Sequence, residues 1–307
     1  MPTKSRPRAS RAAPRHRAGF VAIVGRTNVG KSTLLNRLVG GKVSITSRRP
    51  QTTRHHIVGI RSEPGAQLVF VDTPGFQTRH LNALNRTLNR AVTRALKEVD
   101  AVVLVVEALR YGPEDREVLR LLQPGVPALL AINKVDLVKD KPRLLPFIEQ
   151  LAAEHGFAEI FPVSAEKGGQ VDALAAALRA HLPEGPPLYG PDEITDRSER
   201  FLAAELIREK LFRLLGEEIP YATSVVVEKF EEEGQLRRIA ASIIVDKPGQ
   251  KAIVIGRGGE QLKVVASSAR REMERLFGGK VFLEVWVKVS RGWMGSAAVL
   301  RRMGFDA

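Results

Sequence analysis

The 307-residue chain contains no cysteine. That excludes disulfides, thiolate zinc sites, iron–sulfur clusters and cysteine nucleophiles, and it permits a reducing compartment. Long apolar runs are also missing. None approaches the roughly 18 residues needed to span a bilayer, and Ala101–Val106 is typical of what is there. No apolar h-region opens the chain, so no secretory leader is expected. Aromatic residues are few, at 6%, yet hydrophobic residues reach 44% and charged residues 27%, which suits a soluble globular core. Acidic charge is scarce relative to basic. With 48 basic against 34 acidic side chains the net charge is +14, favouring nucleic acid or an anionic membrane surface as partner. At about 100–200 residues per domain, the length points to two domains.

The distribution of charge says more than its total. Residues 1–17 carry Lys4, Arg6, Arg8, Arg11, Arg15 and Arg17 and no acid. They also carry Pro2, Pro7 and Pro14, and they read as a disordered basic arm. Such an arm touches nucleic acid or merely solubilises; a transit peptide would need an amphipathic stripe that is missing here. Residues 18–182 hold 22 basic and 15 acidic side chains, residues 183–246 hold 8 and 14, and residues 247–307 hold 12 and 5. The last third is therefore acidic first and basic last, which predicts one basic face there.

From Phe20 the pattern becomes regular. Phe20–Val24 is a short apolar run ending in glycine, and a helix-like stretch follows from Lys31 to Val39. His56–Arg61 and Gln67–Val71 read as a hairpin around Glu63-Pro64-Gly65-Ala66. Leu81–Lys97, Glu114–Leu122, Leu144–His155 and Val171–His181 read as helices. They alternate with buried strands at Ala101–Val106 and Val126–Ile132 and with a further strand at Ile160–Val163. This is an α/β doubly wound domain with a mostly parallel sheet over residues 18–182. The Pro- and Gly-rich stretch 183–194 is a linker, and residues 195–307 change grammar. A long helix (Asp196–Leu215), two strands (Thr223–Phe230, Leu236–Val245), a short helix, a second long helix (Glu260–Phe277) and a strand (Lys280–Val289) make an α+β domain.

Gly25-Arg26-Thr27-Asn28-Val29-Gly30-Lys31-Ser32, followed by Thr33, matches G-x-x-x-x-G-K-[ST] between a buried strand and a helix. The glycines let backbone N–H groups curl around phosphate oxygens, and the helix N-terminus adds a favourable dipole. Lys31 would reach the β- and γ-phosphates, and Ser32 would ligate Mg²⁺. Asp72-Thr73-Pro74-Gly75 ends a strand, placing a carboxylate for Mg²⁺ and the Gly75 N–H for the γ-phosphate. Asn133-Lys134-Val135-Asp136 ends another; Asp136 would accept hydrogen bonds from guanine N1–H and N2–H₂, which adenine cannot supply. Asn133 and Lys134 would brace the loop and cover the base. Ser164-Ala165-Glu166 ends a third strand and brings the Ala165 N–H near guanine O6. Between these motifs, Ser44–Arg54 contains Gln51-Thr52-Thr53-Arg54, where a threonine would complete the Mg²⁺ shell only with γ-phosphate present. Spacing favours Thr53 over Thr52.

These five segments together resemble a translation-factor-class GTPase of the Era family. The resemblance implies a GTP-hydrolysing P-loop domain with Lys31, Thr53, Gly75 and Asn28 at the reaction, and it supports Thr53 as the Mg²⁺ ligand. Two positions depart from the pattern. Thr27 stands where the family usually has proline, and Phe76 where many signalling GTPases keep a water-orienting glutamine. In related families without that glutamine an asparagine matching Asn28 holds K⁺, which makes potassium an implied second cofactor.

In the second domain, Ile253-Val254-Ile255-Gly256-Arg257-Gly258-Gly259 has the G-x-x-G shape of a KH domain. Alone it would read as a turn; the α-β-β-α-α-β order and the basic bias of residues 247–307 tip it toward RNA. Arg257 would take a phosphate, with Lys251, Ile253, Ile255, Gly256, Gly258, Gly259 and Lys263 around the strand. Ile253, Ile255, Leu262 and Val265 would line a groove for bases, some of them as core. Strand alternation puts Trp286 in the core and leaves Trp293 open. The segment Leu283–Val289 with Trp293 also resembles the carboxyl-terminal part of the Era family, so the resemblance covers residues 18–307 and implies a type II KH fold. It further implies a monomeric cytoplasmic protein that binds GTP, GDP and the 3′ end of 16S rRNA and assists 30S subunit assembly. Two alternatives stay open: an RNA chaperone whose hydrolysis is incidental, and a signalling GTPase peripheral to the inner face of the cell membrane.

Overall fold

A computed structural model describes residues 16–47, 57–76, 83–216 and 219–293. The basic arm up to residue 15, the Thr52–Thr53 pair and residues 294–307 lie outside these described residues.

The first unit is built on a six-stranded sheet. Its strands are β1 (Arg17–Val24), β2 (Ile57–Glu63), β3 (Ala66–Asp72), β4 (Ala101–Glu107), β5 (Ala128–Asn133) and β6 (Glu159–Pro162), in the order β2-β3-β1-β4-β5-β6. All neighbours are parallel except the β2–β3 hairpin. Strands β3, β4 and β5 are buried along nearly their whole length, because helices cover both faces. Helices α1 (Lys31–Val39) and α5 (Val171–Ala180) pack on one face through Leu34, Leu35, Leu38, Leu174 and Leu178. On the other face lie α2 (Ala83–Ala95), α3 (Pro113–Leu119) and α4 (Leu144–Glu154), contributing Val92, Val118 and Leu151. Strand β6 falls where the sequence places the last strand of this unit, within a residue. It is the edge of the sheet and is half-exposed.

The linker is not a free tether. Gln67, buried in β3, accepts the N–H groups of Leu188 and Tyr189 at 2.7 and 2.9 Å. The Ile60 N–H donates to the Ile194 carbonyl at 2.9 Å, and the Thr195 hydroxyl to the Val58 carbonyl at 2.6 Å. The chain thus covers the open edge of β2, where unpaired backbone groups would otherwise invite another strand.

The second unit runs α6 (Glu199–Leu214), β7 (Thr223–Glu233), β8 (Leu236–Val245), α7 (Pro248–Ile255), α8 (Glu260–Phe277) and β9 (Lys280–Val289). Helix α6 begins at Glu199 rather than Asp196, since the Ser198 hydroxyl accepts the Phe201 N–H and caps it. In the three-stranded sheet β7-β8-β9, β8 pairs antiparallel with β7 and parallel with β9. Helix α8 buries Val265, Ala269, Met273 and Phe277, a stripe at steps of four that faces the same core as Leu206 and Leu211 of α6.

Candidate nucleotide and nucleic-acid sites

The loop 25–30 joins the end of β1 to the start of α1, so its backbone N–H groups converge at a helix N-terminus. Lys31 is nearly buried, and its ammonium donates to the carbonyls of Gly25 and Arg26 at 3.0 and 2.8 Å. Burial pushes its pKa down to about 8; Asp72 opposes that shift and Arg26 adds to it. The Arg26 guanidinium points away, committed to Asp115 at 3.1 Å and Glu107 at 3.6 Å. Asn28 is exposed with a left-handed backbone, φ 63°.

Asn133, buried at the end of β5, ties three loops together. Its amide donates to the Val29 carbonyl at 2.8 Å, and its carbonyl accepts the Ala165 N–H at 3.0 Å. A β-carbon at Gly30 would sit 2.3 Å from that amide nitrogen, so the contact requires glycine. Asp136 is exposed, and the Ser164 hydroxyl donates to its carboxylate at 2.7 Å. Lys134, also left-handed at φ 66°, pairs with Glu107 at 2.8 Å. Glu166 is exposed, and its carbonyl accepts from Arg37. Thr33 is half-buried on the first turn of α1.

Asp72 is fully buried at the end of β3 and accepts the hydroxyls of Ser32 at 2.9 Å and Ser44 at 3.0 Å. Gly75 lies against the loop: a β-carbon there would meet the Thr27 methyl at 2.6 Å, and Phe76 forms a β-bridge with Arg26. The donor set of serine hydroxyls and one carboxylate is hard oxygen, which fits Mg²⁺ completed by water and phosphates. Among the described residues no group of three or more acidic or histidine side chains forms a metal cage.

In the second unit α7 and α8 are joined by Gly256–Gly259, with φ of 74°, 61° and 83° at Gly256, Gly258 and Gly259. Those values explain the glycines. Arg257 and Gly258 are exposed at the tip, flanked by exposed Lys251 and Lys263, and Ile253 is 53% exposed.

The comparisons with known proteins agree with this geometry. The family described as 50S ribosome-binding GTPase matches residues 20–134, and the KH domain family matches residues 218–294. GTPase Era of Nitrosomonas eutropha is 54% identical over 291 residues, covering 95% of this chain and 98% of that protein. GTPase Era of Chromobacterium violaceum is 56% identical over 288 residues, covering 94% and 97%. The chain belongs to the Era family of GTPases. A crystal structure of a single-residue variant of Aquifex aeolicus Era bound to GDP·AlF₄⁻ superposes with a TM-score of 0.91 at 37% identity, covering 95% of this chain and all of that one. An Era complex with MgGDPNP and nucleotides 1506–1542 of 16S ribosomal RNA matches with the same score, identity and coverage.

One sequence expectation for the Era-type second domain is corrected, that of Trp286, and two that the sequence left open, Trp293 and the groove set, are decided. Trp286 is 45% exposed, whereas Trp293 is fully buried. The inward set of β9 is Val281, Leu283, Val285 and Val287, so Trp286 falls on the outer face. Val265 is fully buried core and Ile255 is partly packed against that core, so the groove edge is left chiefly to Ile253 and the exposed cations. Sequence reasoning also missed four contributors: Ser44 on Asp72, Glu107 under Lys134, Asp115 under Arg26, and Glu209. Only tertiary pairing reveals them.

Proposed function

We propose that this chain is a nucleotide-gated switch that binds single-stranded rRNA at the 3′ end of 16S rRNA and assists assembly of the 30S subunit. The observation that carries the reading is one chain holding both the nucleotide loops at 25–32, 72–75, 133–136 and 164–166 and an exposed G-x-x-G tip flanked by Lys251, Arg257 and Lys263. In this reading the loop 25–33 and Lys31 hold the phosphates, while Asp136, oriented by Ser164, reads guanine. Asn133, Lys134, Ala165 and Glu166 shape the base pocket.

Ser32, Asp72 and Thr53 would hold Mg²⁺, which supplies charge neutralisation for phosphoryl transfer. Gly75 answers to the γ-phosphate. Asn28, exposed within the loop 25–30, would hold K⁺ in place of a water-orienting glutamine at Phe76. The protein acts as a cytoplasmic monomer. Crosslinking followed by sequencing of the RNA that copurifies with it tests the reading. Enrichment of the 16S 3′ end supports it; reads spread over unrelated RNAs overturn it.

A further inference from the structure

The second residue of the phosphate loop and the second residue of the base loop share one carboxylate oxygen. Glu107 ends β4, where its backbone pairs with Asn133 of β5, beside the loop that starts there. Its Oε2 takes the Lys134 ammonium at 2.8 Å and the Arg26 guanidinium at 3.6 Å. Its Oε1 takes Arg110 at 3.1 Å. The Glu107 side chain is 13% exposed, whereas Arg110 is 74% exposed and stands at the rim. From the other side, buried Asp115 of α3 accepts the Arg26 Nε–H at 3.2 Å and the Gly112 N–H at 3.0 Å.

Both pairings reach backbone that a nucleotide needs. The Arg26 carbonyl accepts the Lys31 ammonium at 2.8 Å, so the place of Arg26 sets the place of that ammonium. Lys134 has a left-handed backbone, φ 66°, which is unfavourable for a residue with a β-carbon. The turn Val135–Leu137, which carries Asp136, begins directly after it. Asn133 already ties the two loops through its amide on the Val29 carbonyl at 2.8 Å, and Glu107 adds a tie through charged side chains. By charge alone Glu107 is misplaced, since a carboxylate beside a site for a polyanion repels the ligand. Its benefit lies in geometry.

We propose that Glu107 is a positioning residue for nucleotide binding, holding Lys134 and Arg26 so that the base loop and the phosphate loop stand at the spacing one guanine nucleotide spans. The inference rests on the assignment of residues 25–32 and 133–136 to the nucleotide made above. Glu107 itself touches no part of the nucleotide and acts through the two cations. The two loops grip the base and the β-phosphate, which GTP and GDP share, so Glu107 supports both nucleotides nearly alike.

The test uses the full chain and Glu107→Gln, which keeps the size of the side chain and removes its charge. Affinities for GDP and for a non-hydrolysable GTP analogue are measured by calorimetry, with Asp136→Asn and Lys134→Met alongside. Glu107→Gln should weaken both nucleotides by similar factors of about tenfold or more, the scale of one lost charge-assisted hydrogen bond. In the Lys134→Met background the same substitution should cost clearly less, because the ammonium it acts through is gone. A purely electrostatic role has the opposite sign: neutralising a carboxylate would tighten both nucleotides, most of all at low salt. Tighter or unchanged binding by Glu107→Gln therefore overturns the proposal, as does a loss confined to the GTP analogue. So does a loss that persists in full in the Lys134→Met background, which would mark a general weakening of the fold. If Asp136→Asn binds GDP as the wild type does, the base-loop reading fails and the proposal falls with it. Weakening in Asp136→Asn beside unchanged binding in Glu107→Gln removes Glu107 alone.

Discussion

The carboxylate of Glu209, fully buried in α6, accepts the backbone N–H of Thr46 at 2.9 Å. Its other oxygen takes Lys42 at 2.7 Å and Lys210 at 3.0 Å, and Glu272 of α8 binds the same two ammoniums. Arg213 adds a hydrogen bond to the Thr46 hydroxyl at 2.9 Å. Thr46 is two residues beyond Ser44, whose hydroxyl reaches Asp72. The start of the segment expected to sense γ-phosphate is therefore held by the RNA-binding unit. A shift of Ser44 on Asp72 must be felt at α6 and α8.

This cluster predicts acid sensitivity. Burial opposes ionisation of Glu272, but the Lys210 and Lys42 ammoniums outweigh it and hold the carboxyl at about 2. Glu209 is lowered as well, against burial, by Lys42 and the Thr46 N–H. A folded pKa below the unfolded value means stability that is present above about 4.5 and lost as pH falls toward about 2. Urea unfolding midpoints between pH 5 and pH 3 should drop for the wild type and drop less for Glu272→Gln. Equal losses in both proteins would remove Glu272 from the account.

Lys31 gives a proton-linkage test. With its pKa near 8, the free site is about half protonated at pH 8, and phosphate oxygens beside the ammonium would restore the full charge. Calorimetry of GDP binding in buffers of different ionisation enthalpy should show uptake of about half a proton at pH 8 and less at pH 7. Proton release, or none exchanged at pH 8, contradicts the assignment.

Much of this was legible in the sequence. Helices α1 and α8 and strands β8 and β9 span the residues that periodicity assigns to them, because glycines punctuate both ends of the helices. The strand ends that carry Asp72, Asn133 and Ser164 follow from continuous apolar runs meeting polar motifs. Strand β9 misled because both of its alternating faces carry large apolar residues. Phe282 and Trp286 stand on one, and Val281, Leu283, Val285 and Val287 on the other. Only its register on β8, which sets Arg238 beside Phe282 and Ser242 beside Trp286, decides which face is outward. Glu205, Arg208, Glu209 and Lys210 are all charged, and all four are buried as mutual or interdomain pairs. No local pattern links Glu209 to Thr46, 163 residues away.

Base selection depends on one carboxylate. Asp136→Asn should weaken GTP and improve xanthosine triphosphate, since each lost charged hydrogen bond costs about 1.5–3 kcal/mol. Ser164→Ala, which removes the 2.7 Å hydrogen bond orienting Asp136, should weaken GTP less and leave base preference intact. Unchanged GTP affinity in Asp136→Asn, by fluorescent-nucleotide displacement, would sink the role.

The monovalent ion is tested by turnover. With Phe76 unable to orient water, intrinsic hydrolysis should be slow and faster in potassium than in sodium if Asn28 holds the ion. Equal single-turnover rates in the two salts would take Asn28 out of the chemistry and leave the GTPase intact.

The most direct test of the whole account is RNA affinity of the double variant Arg257→Asp, Gly258→Asp. Both positions are exposed at the α7–α8 tip, and Asp tolerates the left-handed backbone at 258 better than most residues. Two added negative charges and one lost positive charge lie where phosphates must approach. Affinity for a short single strand of the 16S 3′ end should fall about tenfold or more with a shallower salt slope, while the unfolding midpoint stays put. Normal binding by that variant, together with loss of binding when residues 1–17 are removed, would show that the loop is a turn and that the arm alone holds RNA.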